Sequence, residues 1–207
     1  KKKKKKKMKR LYFFTLIIFH LLNINLFLNA QQRDTSKIII MFGDSITHNG
    51  KWGEVLNRTD VVNWGIPGYT TQQLSWTIKD ILNQYRPKIC FIEGGINDFT
   101  LGITIDRIYQ NQVMVMDSLA HNNVNPVYQT TLYQLHNEKV NRAIDALNFL
   151  MQKYCEHHNY GFIDLCTTLS KDGDMIPELT TDGTHLKPEA YILWGNALQE
   201  YLKQQHY

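Results

Sequence analysis

The stretch Met41–Gly50, M-F-G-D-S-I-T-H-N-G, sets a serine behind a glycine and an acid, with a histidine three positions further on. A serine hydroxyl is a weak nucleophile until a base takes its proton, and that base must be held in one tautomer by an acceptor. His48 is near Ser45 in sequence but lacks a well-spaced acid. Asp182 and His185, in T-D-G-T-H, meet the requirement, because a carboxylate three positions before an imidazole reaches Nδ1 and leaves Nε2 facing outward. Attack on a carbonyl creates an oxyanion, which needs preorganised donors in a site partly shielded from water. The backbone N–H of Ser45, the backbone N–H of Gly68 and the side-chain amide of Asn97 are the candidates. The chemistry on offer is acyl transfer to water, with Ser45, Asp182 and His185 as catalytic groups and His48 on the cleft wall. Each residue also has a plainer role available: Ser45 as a helix cap, Asn97 or Asp182-Gly183 in turns, His185 at a helix start. Four such roles converging on one sheet end is the harder coincidence.

Elements of a particular kind must bring these residues together. Short apolar runs begin at Ile38, Val61, Ile89, Val124 and Gly161, each too short for a helix and rich in β-branched or aromatic residues, as buried parallel strands are. Amphipathic stretches lie between them at Trp52–Arg58, Thr71–Tyr85, Ile105–His121, Asn137–His158 and Lys187–Gln205. Strand alternating with helix predicts right-handed crossovers and a parallel sheet covered on both faces. The expected fold is a three-layer α/β/α domain, flavodoxin-like, with about five strands. In such sheets ligands bind beyond the carboxyl ends of the strands. That places G-D-S-I-T, G-I-P-G-Y-T-T, G-G-I-N-D and T-D-G-T-H around one cleft.

Four separated blocks in this order, Gly43–Ser45, Asn63–Gly68, Gly95–Asp98 and Asp182–His185, resemble the SGNH hydrolases of the GDSL esterase superfamily. The resemblance covers nearly the whole domain. It is strongest to the branch with platelet-activating-factor acetylhydrolase-like proteins and carbohydrate acetylesterases. It implies a Ser, Gly, Asn and His quartet at Ser45, Gly68, Asn97 and His185, with Asp182 orienting the histidine, and ester hydrolysis through an acyl-enzyme without metal or cofactor. Trp64 and Tyr69 stand where that branch often has an arginine and an aspartate, which suggests a more aromatic cleft and makes both substrate-binding candidates. Asp44 and Asp98 are assigned to hydrogen bonding within their loops. Trp52 and Trp76 are further aromatic candidates near the cleft, and Trp194 is read as core.

Charge and composition narrow the partners. The chain carries a net charge of +4, but Lys1–Lys7, Lys9 and Arg10 supply nine positive charges, so residues 31–207 carry −5. A mildly acidic domain loses the support that overall basicity would give to nucleic-acid binding. The cationic run, the apolar stretch Leu11–Leu28 and Ala30 have the layout of a cleavable signal peptide over residues 1–30, with Lys1–Lys7 an irregular start before Met8. His20, Asn23 and Asn25 interrupt the apolar stretch and disfavour a membrane anchor. The expectation is a secreted or periplasmic single domain over 31–207, without stable membrane insertion after cleavage, acting on a small-molecule or carbohydrate ester. Lipolytic or thioester hydrolysis and a silent carbohydrate-binding relative are the alternatives. Of three cysteines, Cys90 is expected to be buried, and Cys155 and Cys166 are near enough to pair. A metal reading of Cys155, His157, His158 and Cys166 matches no common ligand spacing. Oligomeric state is not legible.

Overall fold

The computed structural model describes residues 38–207; the signal-peptide reading of 1–30 lies outside them. Five strands, Ile39–Gly43 (β1), Val61–Gly65 (β2), Ile89–Ile92 (β3), Asn125–Gln129 (β4) and Gly161–Ile163 (β5), form one sheet in the order β2-β1-β3-β4-β5. Every pairing is parallel. The expected three-layer arrangement is present, and the two-residue period of the strands shows why. Ile39, Met41, Ile89, Phe91 and Val127 belong to one apolar cluster, whereas Ile40, Phe42, Cys90, Ile92 and Tyr128 belong to another. Alternate side chains thus leave the sheet on opposite faces, and each face needs its own cover.

Helices supply that cover. Ser45–His48 (α1), Trp52–Val55 (α2), Thr71–Gln84 (α3), Ile96–Thr100 (α4), Ile105–His121 (α5), Glu138–His158 (α6), Cys166–Leu169 (α7) and Pro188–Gln204 (α8) follow in chain order. Ile46, Trp52, Tyr191 and Trp194 bring α1, α2 and α8 to the first face, and Leu74, Ile108, Met116 and Leu147 bring α3, α5 and α6 to the second. Between α7 and α8 the chain makes a small antiparallel ribbon, Ser170–Lys171 (β6) with Asp174–Met175 (β7), and a 3-10 turn, Pro177–Leu179. Neither the ribbon nor the short helices α1, α4 and α7 were predicted. The helix expected over Trp52–Arg58 closes after one turn.

The strand order reverses between β1 and β3. Chain leaving β1 goes one way to β2 and chain leaving β3 goes the other, which opens a crevice at the carboxyl ends of those two strands. At the opposite end of the sheet, a cavity of about 1150 Å³ lined by Arg58, Arg86, Lys88 and His206 lies where α3, α5 and α8 end. Of these, the Arg58 guanidinium is paired with Asp60.

Cys90, Cys155 and Cys166 are all buried and free. The Cys155–Cys166 pairing is not formed; Cys166 Sγ instead donates to the carbonyl of Thr131 at 3.4 Å. Among the described residues no group of three or more His, Cys, Asp or Glu could hold a metal ion. His157 and His158 pack on one another, and His158 stacks on Tyr154. Among the described residues no helix is long and apolar enough to cross a membrane.

Candidate active site

β1 must end on glycine. A Cβ on Gly43 would lie 2.2 Å from Thr47 Oγ1 and 2.3 Å from the carbonyl of Glu93, so any side chain there would push α1 off the end of β3. The chain then turns at once into α1, because Asp44 Oδ1 accepts from the N–H of Ile46 at 2.9 Å and caps the helix. Ser45 becomes the first residue of α1, half-buried, with its own N–H among those that a helix leaves without an intrahelical acceptor.

Ser45 Oγ lies 2.9 Å from His185 Nε2, and His185 Nδ1 lies 2.7 Å from Asp182 Oδ2. The carboxylate is acceptor only, so Nδ1 carries the proton and Nε2 is left to accept from the serine hydroxyl. Asp182 Oδ1 also accepts the backbone N–H groups of Thr184 at 2.9 Å and His185 at 2.8 Å. These bonds, led by the two from His185, hold the Asp182 carboxyl down at about 2. The loop is set from below by Thr180, whose Oγ1 donates to the carbonyl of His185 and accepts from Gly183 N–H, and by Leu135, whose N–H donates to the carbonyl of Gly183 at 2.8 Å.

The second wall comes from β2 and β3. Ile66–Tyr69 is a turn in which Tyr69 N–H donates to the carbonyl of Ile66 at 3.2 Å, with Pro67 second and Gly68 third at φ +78°. This is the pattern of a type II turn, which requires a left-handed residue at its third position. An added Cβ at Gly68 would meet nothing within 4 Å, so glycine is needed there for its φ and not for space. Asn97 sits in the first turn of α4 and donates from Nδ2 to the carbonyl of Tyr69 at 3.0 Å; its contact with Asp44 Oδ2 is long, at 3.5 Å. The amide is therefore steered by one firm bond, with its other N–H held loosely.

Buried acids lie behind these groups. Asp98 accepts from Thr71 N–H at 2.8 Å and Thr71 Oγ1 at 2.6 Å, so it ties α4 to the start of α3 and does not serve its own loop alone, as the sequence suggests. Burial pushes its carboxyl up. Asp44 is fully buried, and desolvation raises it from 3.8 to about 6 against the opposing pull of the Ile46 bond and the charge of His185.

The structure therefore gathers Ser45, Asp182 and His185 into one hydrogen-bonded chain, and sets Asn97 against the turn that carries Gly68. His48 is exposed, and its Nδ1–H donates to the carbonyl of Gly65 at 3.0 Å, while Ser45 Oγ is engaged with His185. Tyr69 is half-buried and meets Asn97 through its carbonyl. The Trp64 indole N–H lies 3.3 Å from Thr77 Oγ1, and its ring packs edge-on to Tyr85. Its side chain is thus taken up by α3. Trp52 is core, donating to the carbonyl of Thr47 and packed on Tyr191 and Trp194, and Trp76 is an exposed residue of α3.

A doubly covered parallel sheet that carries a serine, an imidazole and a carboxylate in one hydrogen-bonded chain at the carboxyl edge of its switch point is equipped to activate the serine for acyl transfer. Residues 41–193 match the GDSL-like lipase/acylhydrolase family, and the chain belongs to that family. Its structure is similar to a GDSL-like lipase of Bacteroides thetaiotaomicron, with a TM-score of 0.76 at 17% identity over 84% of this chain and 92% of that one. It is also similar to a lipase/acylhydrolase of Enterococcus faecalis, with a TM-score of 0.65 at 22% identity over 82% of this chain and 96% of that one. Likeness at these identities is likeness of fold. In sequence the chain is 29% identical over 181 residues to an N-acylneuraminate cytidylyltransferase of Streptococcus agalactiae, a match that takes in 83% of this chain and 40% of that protein. The chain thus spans about two fifths of the length of the curated relatives it matches.

Proposed function

We propose that this family member is an exported serine esterase that removes short acyl groups, acetyl foremost, from carbohydrate. The observation that carries the reading is the chain Ser45 Oγ, His185 Nε2, His185 Nδ1, Asp182 Oδ2, at 2.9 and 2.7 Å. His185 takes the Ser45 proton as Oγ attacks the ester carbonyl, and the carbonyl oxygen becomes an oxyanion facing the N–H groups of Ser45 and Gly68 and the Asn97 amide. His185 then gives its proton to the leaving alcohol, and the acyl group stays on Ser45. Water, deprotonated by the same imidazole, attacks the acyl-enzyme, and the imidazolium returns that proton to Ser45 Oγ as its bond to the acyl group breaks and the carboxylic acid leaves. Asp182 keeps the ring in the required tautomer and offsets its positive charge at each stage.

The choice of alcohol rests on exposure and on the relatives. The side chains of His185 and Asp182 are 36% and 55% exposed, so a bulky polar alcohol can reach the reacting ester. The Streptococcus agalactiae relatives are named for N-acylneuraminate, an acylated sugar acid, which makes O-acetylated sialic acids the first substrates to try. The layout of residues 1–30, a cationic run, an apolar stretch and Ala30, supports the export part of the reading.

The test is acetate release from O-acetylated sialic acids, xylo-oligosaccharides and pectic fragments, with Ser45→Ala as control and fluorophosphonate labelling of Ser45 as the measure of the nucleophile. No release from any of them, with turnover of synthetic esters rising beyond propionyl, would replace this reading by the lipolytic or thioester one that the family's name also covers. Absence of labelling would end the serine-enzyme reading altogether.

A further inference from the structure

β3 runs on into a carboxylate that no step above uses. Glu93 is fully buried, directly behind the helix that presents Ser45; its Oε2 accepts from Thr47 Oγ1 at 3.2 Å, and its Oε1 has no partner. Ile92 pairs with Tyr128 in the sheet register, so Glu93 and Gln129, one residue further on, are neighbours across β3 and β4. They face the side of Phe91 and Val127, the side covered by α1 and α8. Gln129 is fully buried too; its Oε1 accepts from Trp194 Nε1 at 2.6 Å, and its Nε2 has no partner. An unpaired acceptor and an unpaired donor thus occupy facing positions on adjacent strands. One is bonded to the nucleophile's helix and the other to the helix that follows the His185 loop. Buried polar groups without partners are rare, and a pair of them next to a reactive serine needs an explanation beyond packing.

We propose that Glu93 is a positioning residue for the hydrolysis, holding α1 through Thr47, with the unpaired Gln129 Nε2 beside it on the α8 side. The inference rests on Ser45 being the nucleophile. The ionisable groups that act on Glu93 are Asp44 at the start of α1, Tyr128 on β4 and Tyr191 on α8, and none is a cation. Burial first and Asp44 second push the Glu93 carboxyl well above its usual range, toward the neutral acid. A neutral acid can give its O–H to one neighbour and accept from another, and glutamine has the same capacity and nearly the same shape. Leucine has neither hydrogen bond. α1 is only four residues long, and its own bonds cannot fix Ser45 Oγ against His185 Nε2.

The experiment compares Glu93→Leu, Glu93→Gln, Thr47→Val and the Glu93→Leu/Thr47→Val double variant. It reads kcat and KM on a small acetyl ester, and the rate at which a fluorophosphonate labels Ser45. Glu93→Leu should lower both kcat and the labelling rate by about tenfold to a hundredfold, the loss that a small misplacement of a reacting group produces. KM should stay within about twofold, since the substrate's own contacts are untouched. Thr47→Val should show the same pattern, the double variant should be no worse than the poorer single one, and Glu93→Gln should return kcat to within about threefold of wild type. Wild-type kcat in Glu93→Leu, or effects of the two single changes that multiply, would overturn the proposal. So would a Glu93→Gln protein as slow as the leucine variant. If Glu93→Leu does not fold, Thr47→Val and Glu93→Gln decide by the same criteria. Wild-type protein that fails to label defeats the assignment of Ser45 as nucleophile, whereas labelled wild type beside variants that label at the same rate defeats only the role of Glu93.

Discussion

Asp44 is placed where stability and turnover should oppose each other, and Asp44→Asn separates them. The carboxyl is fully buried and is raised from 3.8 to about 6, so the folded protein holds its proton more tightly than the unfolded chain does. Stability owed to this group is complete below 3.8 and is lost as pH rises through about 6, because over that interval the unfolded chain ionises first. A rise of this size, at about 1.4 kcal/mol per pH unit, amounts to about 3 kcal/mol. Asparagine keeps the Oδ1 that caps Ile46 and carries no charge to bury. Urea unfolding at a series of pH values should therefore show the variant more stable than wild type by up to about 3 kcal/mol near pH 7.5, the gain vanishing below pH 4. Turnover should move the other way. The Asp44 charge acts on His185, and removing it takes away part of what stabilises the imidazolium, so kcat at pH 7.5 should fall by about tenfold, the equivalent of about 1.4 kcal/mol. A variant less stable than wild type at pH 7.5, or a stability difference that does not change with pH, would refute the reasoning.

Four further outcomes are expected. His185→Ala should lower kcat on a synthetic acetyl ester by about 10³-fold or more, whereas His48→Ala, whose Nδ1–H is given to the carbonyl of Gly65, should stay within about threefold of wild type. Asn97→Ala should cost about 10²- to 10³-fold in kcat with little change in KM, as loss of an oxyanion donor does. Gly68→Ala forces a side chain into φ +78° and should lower stability by about 1–2 kcal/mol in thermal unfolding, with a fall in kcat as the turn shifts its N–H. The carboxyl of Asp182 is depressed to about 2, so its contribution to stability is full above 3.8 and is lost only as pH falls through about 2; replacement by asparagine should change the pH dependence of unfolding there and not near neutrality.

The strands were legible because a strand buried on both faces is written as an unbroken apolar run, as in Ile38–Phe42 and Ile89–Ile92, and nothing local competes with that signal. The site blocks were legible because turns and caps demand particular residues: Gly68 for a left-handed φ, Asp44 for a helix start, Asp182 for two backbone N–H groups and a ring. The helices α1 and α4 were not, since four or five residues are too few to show a period. Aromatic residues were the weakest ground. Trp52 and Trp64 fall near the site in sequence, yet one is core and the other is taken up by α3, because nearness along the chain does not say which face a ring will seek. Glu93 and Gln129 escaped notice for a related reason. A polar residue at the end of a strand reads as the start of a loop, and only tertiary packing reveals that both are buried. Tyr191 belongs here too; its hydroxyl donates to the carbonyl of Ile46 at 2.7 Å, a contact across 145 positions that no spacing announces.

That last bond makes nucleophile and base one mechanical body. Helix α8 grows out of the loop that bears His185 and grips α1 one residue beyond Ser45, so the two reacting side chains travel together if either moves. Asn97 and Asp98 fasten α4 to Tyr69 and Thr71 in the same way, which sets the asparagine against the turn with Gly68. Across the mouth, the side-chain contact from Asn97 to Asp44 is long, at 3.5 Å. The turn is nonetheless tied to the Ser45 side from beneath, since His48 Nδ1–H on α1 donates to the carbonyl of Gly65 at 3.0 Å and Ile66 N–H donates to the carbonyl of Gly43 at 2.8 Å.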